Sequence, residues 1–396
     1  MSDPRGPRVA LVSRIFAPEA AAATFRLAAL VRGLVARGAE VEVLTARAPA
    51  GLQTPEEDRL PGVRVRRAPV LRDATGYVRG YLPYLSFDLP AAARLLLTPR
   101  PDVVVVEPPP TTGAVVRVVT GLRSLVGGRI PYVYYAADVW SDASESVGAP
   151  GVVVSVLRAL EKFALRGARD VVAVSQGVAE RVRELGADPV TVVRNGIDTE
   201  VFTPHGPSPA DAPTGPFLVY AGTASEWQGA EVFAEAMRLV LAQVPGARLV
   251  MLGQGSSWPA LTRLAGTVPP GTIELRPLVP PEEAAAWQRA AAGALVSIKP
   301  GLGYDFAYPT KVLAALACGT PVVYAGPGPA RADLSEHDLG EAVDYDVPAV
   351  ADAMVRALLA QPTGAERERL AGWVVEHRSL ARTGAEAAQV VLRLAD

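Results

Sequence analysis

Short apolar runs separated by helix-patterned segments recur along the whole chain, and this alternation constrains the fold more than any other feature. DVVVVE (Asp102–Glu107) is the plainest case. Its consecutive valines leave no polar face, as in a parallel strand covered on both sides. RVALVS (Arg8–Ser13), EVEVL (Glu40–Leu44), VRVRRAP from Val63, YVYYAAD (Tyr132–Asp138), DVVAVS (Asp170–Ser175) and TVVRNGID (Thr191–Asp198) repeat the theme. Helical patterns fill the intervals at Ala22–Arg37, Tyr77–Leu97, Thr112–Val126 and Val152–Leu165. Strand–helix–strand spacing of this kind builds a doubly wound parallel α/β sheet.

The alternation breaks once. The stretch Asn195–Pro216 carries five prolines from Pro204 onward, which predicts a linker with little regular structure. It then restarts with FLVYAG (Phe217–Gly222), a helix at Ala230–Gln243, ARLVMLG (Ala247–Gly253), a helix from Ser257, TIELRPL, a helix at Pro281–Ala292 and ALVSIKP. The reading is two Rossmann-like doubly wound domains facing each other across a ligand cleft. Their expected limits are 1–203 and 217–375, joined by a linker at 204–216. A last helix at 376–396 would pack back on the first domain. A chain of 396 residues, 49% apolar, is long and apolar enough for two cores.

The most informative segment is YPTKVLAALACGTPVVY (Tyr308–Tyr324), a helix feeding a strand. Pro309 suits the first helical turn, Val312, Leu313, Leu316 and Ala317 repeat at helical spacing, and Gly319 ends the helix. The helix start presents free N–H groups beside Thr310 and Lys311, where an anionic group such as a phosphate can dock. An ordinary helix–strand unit with a solvated lysine fits the same pattern. Gly222-Thr223-Ala224 and Gly253-Gln254-Gly255 sit at strand ends, where small residues permit close approach of a ligand or simply a tight turn.

In open parallel sheets ligands bind beyond the carboxyl ends of the strands. In the first half that position holds Glu19, Glu107, Asp138 and Ser175. Glu107 and Asp138 end strands that can be neighbours, so both carboxylates can face one cleft, one acting as base or charge stabiliser. A solvated carboxylate fits Glu107 as well. Ser175 reads as the cap of the following helix, and Arg26 as a surface arginine.

Composition removes several classes of function. A net charge of −2 argues against a dedicated nucleic-acid binder. One cysteine, Cys318, and three scattered histidines, His205, His337 and His377, offer neither a disulfide framework nor a metal site. The N-terminus is polar and no apolar stretch approaches about 18 residues, so the expectation is a soluble, cytoplasmic protein without a span. YLPYLSFDL (Tyr81–Leu89) fits core packing, or contact with the inner face of a membrane or with a lipid carrier.

Taken in order, SRIFAPEAAAATFRL, RPDVVVVEPPPTTG, YYAADVWSDASESVG, VAVSQGVAERVRELG, VTVVRNGIDTEVFTP, LVMLGQGS, LVPPEEAAAWQRAAAGALVSIKP and YPTKVLAALACGTPVV resemble the family 4 glycosyltransferases of the two-domain GT-B type. The likeness covers nearly the whole chain. The second and third segments are similar to a subgroup that builds bacterial surface polysaccharides.

The resemblance implies a nucleoside-diphosphate sugar, UDP or GDP-linked, bound mainly by the C-terminal domain. It implies an acceptor in the N-terminal domain, transfer with retention, and no cofactor or metal. Asp138 or Glu107 would orient sugar or acceptor. Lys311, the Tyr308–Pro309–Thr310 helix start, Gly222 and Thr223 would hold the diphosphate, with Gln254 nearby and Asn195 and Gly196 shaping one wall. The acceptor would belong to polysaccharide, glycolipid or specialised-metabolite biosynthesis.

Four positions depart from the family pattern. A glutamate that binds the donor ribose is commonly found where Ala314 stands, and another acid where Phe306 stands. An arginine is expected at Thr223 and a lysine at Gln228. Lys299, Arg194 and Arg276 are candidate replacements for the lost cations, and Asp305 for the ribose carboxylate. These losses also fit a catalytically impaired homologue serving as a binding or partner subunit. A sugar-nucleotide epimerase fits worse, because no histidine falls at a strand end.

Overall fold

The computed structural model describes residues 6–19, 21–49, 52, 55–72, 78, 81–146 and 149–395. The chain divides into two compact units, residues 1–195 with 380–396, and residues 196–379.

Unit 1 begins with β1 (Arg8–Val12), α1 (Ala22–Val35), β2 (Glu40–Ala46), β3 (Val63–Ala68), α2 (Tyr81–Leu97), β4 (Val103–Val106) and α3 (Pro110–Gly127). It continues with β5 (Tyr132–Ala136), α4 (Trp140–Ser146), α5 (Gly151–Gly167), β6 (Asp170–Ala173), α6 (Gln176–Glu184) and β7 (Val190–Val192). All strand pairings are parallel, in the order β3-β2-β1-β4-β5-β6-β7. Val103 to Val106 explain why DVVVVE has no polar face: alternate valines enter cores on opposite sides of the sheet. Val104 and Val106 pack with residues of α2, α3, α5 and α6. Val103 and Val105 pack with α1 and with the end of the chain.

Unit 2 runs β8 (Phe217–Ala221), α7 (Glu231–Gln243), β9 (Arg248–Leu252), α8 (Trp258–Ala265), β10 (Ile273–Arg276), α9 (Pro281–Ala290) and β11 (Gly293–Ser297). It closes with α10 (Thr310–Ala317), β12 (Val322–Ala325), α11 (Ala330–Glu336), β13 (Gly340–Val343), α12 (Val347–Ala360) and α13 (Gly364–Arg378). Its parallel order, β10-β9-β8-β11-β12-β13, has the same reversal of direction as unit 1. A final helix, α14 (Leu380–Leu392), packs on α1 in unit 1. Gly33 and Gly384 let those two helices touch, since a Cβ at Gly384 would stand 2.3 Å from the Ala29 carbonyl oxygen. Both sheets are therefore the doubly wound type, with switch points between β1 and β4 and between β8 and β11.

Several boundaries differ from expectation. The Pro-rich segment 204–216 has little regular structure, yet it is fastened to unit 2. Arg289 donates to the Thr203 and Pro207 carbonyls, and Arg276 bonds Asp211. The units part at 195/196 and 379/380, so residues 376–378, expected to open the last helix, end α13 instead and α14 starts at Leu380. Tyr77, the expected start of a helix, lies outside the described residues. The edge strand β13 and the short polar helix α4 carry no strong apolar pattern and are additions to the expected elements.

Candidate functional site

In unit 2 the loops after β8 and β9 meet the start of α10. Leu252 accepts the Gly222 N–H at 2.8 Å, and Gln254 accepts the Ala224 N–H at 2.8 Å. The approach is close enough to require glycine: a Cβ on Gly253, at φ +157, would lie 2.0 Å from the Gly222 oxygen. Beside these loops is a cavity of about 350 Å³. Its walls include Phe202, Leu252, Leu278, Val279 and Ala314, with Gly222, Thr223, Gln228, Gln288, Thr310 and Lys311 as the polar part.

Lys311 is the one charged side chain among these lining residues. Pro309 is the N-cap of α10, in extended backbone, so Thr310 and Lys311 fall in the first turn, where N–H groups lack intrahelical partners. The Lys311 Nζ donates to the Thr223 carbonyl at 2.8 Å and lies 5.2 Å from the centre of the Tyr220 ring. Loss of water around the amine pushes its pKa down to about 8. No carboxylate pairs with it among the described residues. Gly222 leaves room for the lysine stem, because a Cβ there would stand 2.8 Å from the Lys311 Cε. An anion entering this cavity would meet a dehydrated cation and a helix start together.

The other expected contacts are distributed differently. Thr223 and Gln254 are exposed, and it is their backbone that shapes the loops. Gln228 is buried and holds its own loop, accepting the Ser225 N–H at 2.9 Å. Lys299 is exposed, its N–H bonded to Trp227. Asp305 accepts the Gly301 N–H at 3.2 Å and so closes the 301–305 turn. Tyr308 packs against the Arg378 guanidinium, which is bonded to Asp333 at 2.7 Å. Arg276 is not available as a replacement cation: it pairs with Asp211 and Glu274 and covers the Trp287 ring. Arg194 follows β7 in unit 1 and is exposed. Two groups escaped the sequence reading. Tyr220 underlies Lys311, and Gln288 lines the cavity with a buried Oε1 that has no hydrogen-bond partner. Neither position carries a local pattern that would mark it.

In unit 1 the switch point brings together Ser13 after β1 and Glu107 after β4. The Ser13 hydroxyl donates to Glu107 at 3.0 Å, and Arg26 of α1 donates to the other carboxylate oxygen. All three are buried. Arg26 also lies 3.5 Å from the Asn195 side-chain oxygen and 5.2 Å from the Tyr135 ring centre. Arg26 is thus no surface arginine, and Glu107 is neither solvated nor a free base. Glu19 is likewise occupied, by Arg72 at 2.8 Å. Asp138, beyond β5, keeps an exposed surface; dehydration raises its pKa, against an opposing pull from Arg26. β4 and β5 are neighbours as expected, but of the two carboxylates only Asp138 has no fixed ion pair among the described residues. Ser175 caps α6, accepting the Val178 N–H at 3.2 Å.

Comparison with known proteins gives both units counterparts. Residues 22–196 match the glycosyl transferase 4-like domain family, and residues 215–360 match the glycosyl transferases group 1 family. A D-inositol 3-phosphate glycosyltransferase of Xylanimonas cellulosilytica is 29% identical, over 94% of this chain and 92% of that protein. Among solved structures, Anabaena HepE in complex with UDP and glucose superposes with a TM-score of 0.66 at 16% identity, over 98% of this chain and 100% of that one. Sucrose-phosphate synthase from Thermosynechococcus elongatus gives a TM-score of 0.62 at 18% identity, over 98% and 96%. At such identities the structures speak to fold alone.

Proposed function

Because the chain belongs to the family 4 glycosyltransferases of the GT-B type, we propose that unit 2 binds a nucleoside-diphosphate sugar in the cavity beside α10. The sugar then passes, with retention, to a hydroxyl acceptor. The observation that carries this reading is Lys311: a partly dehydrated amine at a helix start, in a cavity of about 350 Å³, with no carboxylate among the described residues to neutralise it. Two phosphates supply the charge that this arrangement lacks.

In the transfer, the bond between the anomeric carbon and the diphosphate oxygen breaks as the acceptor oxygen bonds to the same face of that carbon. The acceptor proton passes to the departing phosphate oxygen. Lys311 and the first N–H groups of α10 stabilise the negative charge that grows there, the role of a preorganised electrostatic site. On this reading charge is met by protein groups, without a metal. The apolar walls and Gln288 receive the base, whose N–H groups give the buried Gln288 oxygen a partner; an unpaired one costs about 1–3 kcal/mol. UDP and GDP are both candidate donors, and UDP, the ligand named with HepE, is the first to test. Asp138 is the carboxylate we assign to the acceptor, since Glu107 is committed to Arg26. The inositol-phosphate relative supports a polyol or sugar hydroxyl as acceptor class.

Calorimetry with UDP and GDP, followed by turnover of UDP-glucose with polyol and sugar-phosphate acceptors, tests the proposal. Binding of one diphosphate, and an α-linked product from an α-linked donor by NMR, is the expected result. Failure of every nucleoside diphosphate to bind at millimolar concentration would overturn it.

A further inference from the structure

α2, α3 and α5 form one layer over the unit-1 sheet, α2 against α3 and α3 against α5. Their inner residues, such as Phe87, Leu95, Val116 and Leu165, lie in the core. Their outer residues are apolar as well. On α2, Leu82, Leu85, Leu89 and Leu96 repeat at helical spacing and are all exposed. α3 presents Leu122 and Leu125, α5 presents Val152 and Val156, and exposure reaches 82% at Leu125 and 78% at Val152. More than half of the exposed large apolar side chains among the described residues belong to these three helices. Single exposed apolar side chains are ordinary, but their concentration on three neighbouring helices marks an interaction surface.

The charges identify the partner. The only acids on the three helices are Asp88 and Glu161, and both are buried. Asp88 accepts from Thr112, and Glu161 accepts from the Trp140 and Ser141 N–H groups. The basic residues stay uncompensated. Arg117 donates to the Phe163 carbonyl, and Arg123 to the Leu95 and Thr98 carbonyls. Such bonds fix a guanidinium without cancelling its charge. Lys162 and Arg166 have no acidic partner among the described residues; Arg158 is the exception, paired with Glu145 and Asp142 of α4.

We propose that the outer face of α2, α3 and α5 docks on an anionic lipid bilayer. Its leucines and valines enter the boundary between headgroups and acyl chains, and its lysine and arginines meet the headgroup phosphates. No helix among the described residues is long and apolar enough to cross a membrane, so the contact is peripheral. A second copy of the same face is a poorer partner, because it would oppose basic residues with basic residues.

The test is sedimentation of the full chain with vesicles of phosphatidylcholine, alone or mixed with phosphatidylglycerol. Two double variants accompany it, L125E/V152E at exposed apolar positions of α3 and α5 and K162E/R166E on the charge, each checked for an unchanged melting temperature. Binding to the mixed vesicles that weakens with salt is expected. Partition should fall by about tenfold or more in either variant, since each cation near an anionic surface contributes on the order of 1 kcal/mol. Absence of binding at low salt, or binding that both variants leave intact, would overturn the proposal. So would concentration-dependent self-association abolished by L125E/V152E, which would give the face to a second copy. None of these outcomes depends on the donor site.

Discussion

The Lys311 amine donates its hydrogen bond to the carbonyl oxygen of Thr223, 2.8 Å away, and not to a carboxylate. A carbonyl holds the cation in place while leaving its charge whole, and a phosphate oxygen can displace it. Replacing Lys311 by Met keeps the apolar stem over Tyr220 and removes one charge-assisted contact. Such contacts contribute about 1.5–3 kcal/mol, so UDP should bind roughly ten- to hundredfold more weakly by calorimetry. The melting temperature of the free K311M protein should hold or rise, because a partly dehydrated charge has been taken away. Unchanged UDP affinity would remove Lys311 from the donor site.

The lowered pKa of Lys311 gives a signed pH dependence. Below about 8 the amine is charged in folded and unfolded chains alike, and its desolvation cost is fully present. Between about 8 and the ordinary 10.5 the folded protein releases its proton first, so this residue's contribution to stability improves as pH rises. Donor binding runs the other way, since the bound diphosphate favours the charged amine. At pH near 8 the binding of UDP-glucose, whose diphosphate has no proton to lose in that range, should take up about half a proton. Calorimetry in two buffers of different ionisation enthalpy reads the uptake directly. Its persistence in K311M would assign the proton to another group.

The strands were legible because parallel strands are apolar on both faces, as the β-branched run Val103–Val106 is. Lys311 was legible because the Pro-Thr-Lys start and the apolar repeat behind it mark a helix N-terminus wherever they occur. The Arg26–Glu107 pair was not. Its members lie on α1 and after β4, and they meet only because β4 inserts beside β1 at the switch point. Arg276 failed as a replacement cation for the same reason, since its partner Asp211 comes from the Pro-rich segment. The Tyr81–Leu89 segment of α2 was ambiguous for a different cause. Sequence shows that its apolar side chains outnumber what one helix face needs, but not which of them something covers.

Arg26 and Glu107 are both buried, at 8% and 5% exposure, so each depends on the other for its charge. Removing one member of a buried pair leaves the other uncompensated and typically costs about 3–5 kcal/mol. Urea denaturation of R26A should show a loss of that size. E107Q should cost less, since the amide still fits between Ser13 and Arg26. D138N, by contrast, should leave stability and UDP affinity unchanged and lower kcat. If E107Q abolished turnover at full stability, the catalytic carboxylate would be Glu107 instead.

Ala314 lines the same cavity one turn after Lys311, and it is 6% exposed. A carboxylate there would share the Lys311 face of α10, the natural distance from a diphosphate to its ribose. Ribose hydroxyls in doubly wound folds are commonly read by such a carboxylate. None lines the cavity, and Asp305 is occupied with the Gly301 N–H. The protein should therefore bind UDP and its 2′-deoxy analogue within about threefold of each other, because no charged acceptor rewards the extra hydroxyl. Ala314→Glu should widen the preference for UDP to about tenfold or more, a single charge-assisted hydrogen bond. Some affinity for both ligands would be lost if the new carboxylate also pairs with Lys311 three residues back. A strong preference for UDP in the unaltered protein would mean that another group reads the ribose. A314E without any change in the ratio would place the ribose away from α10.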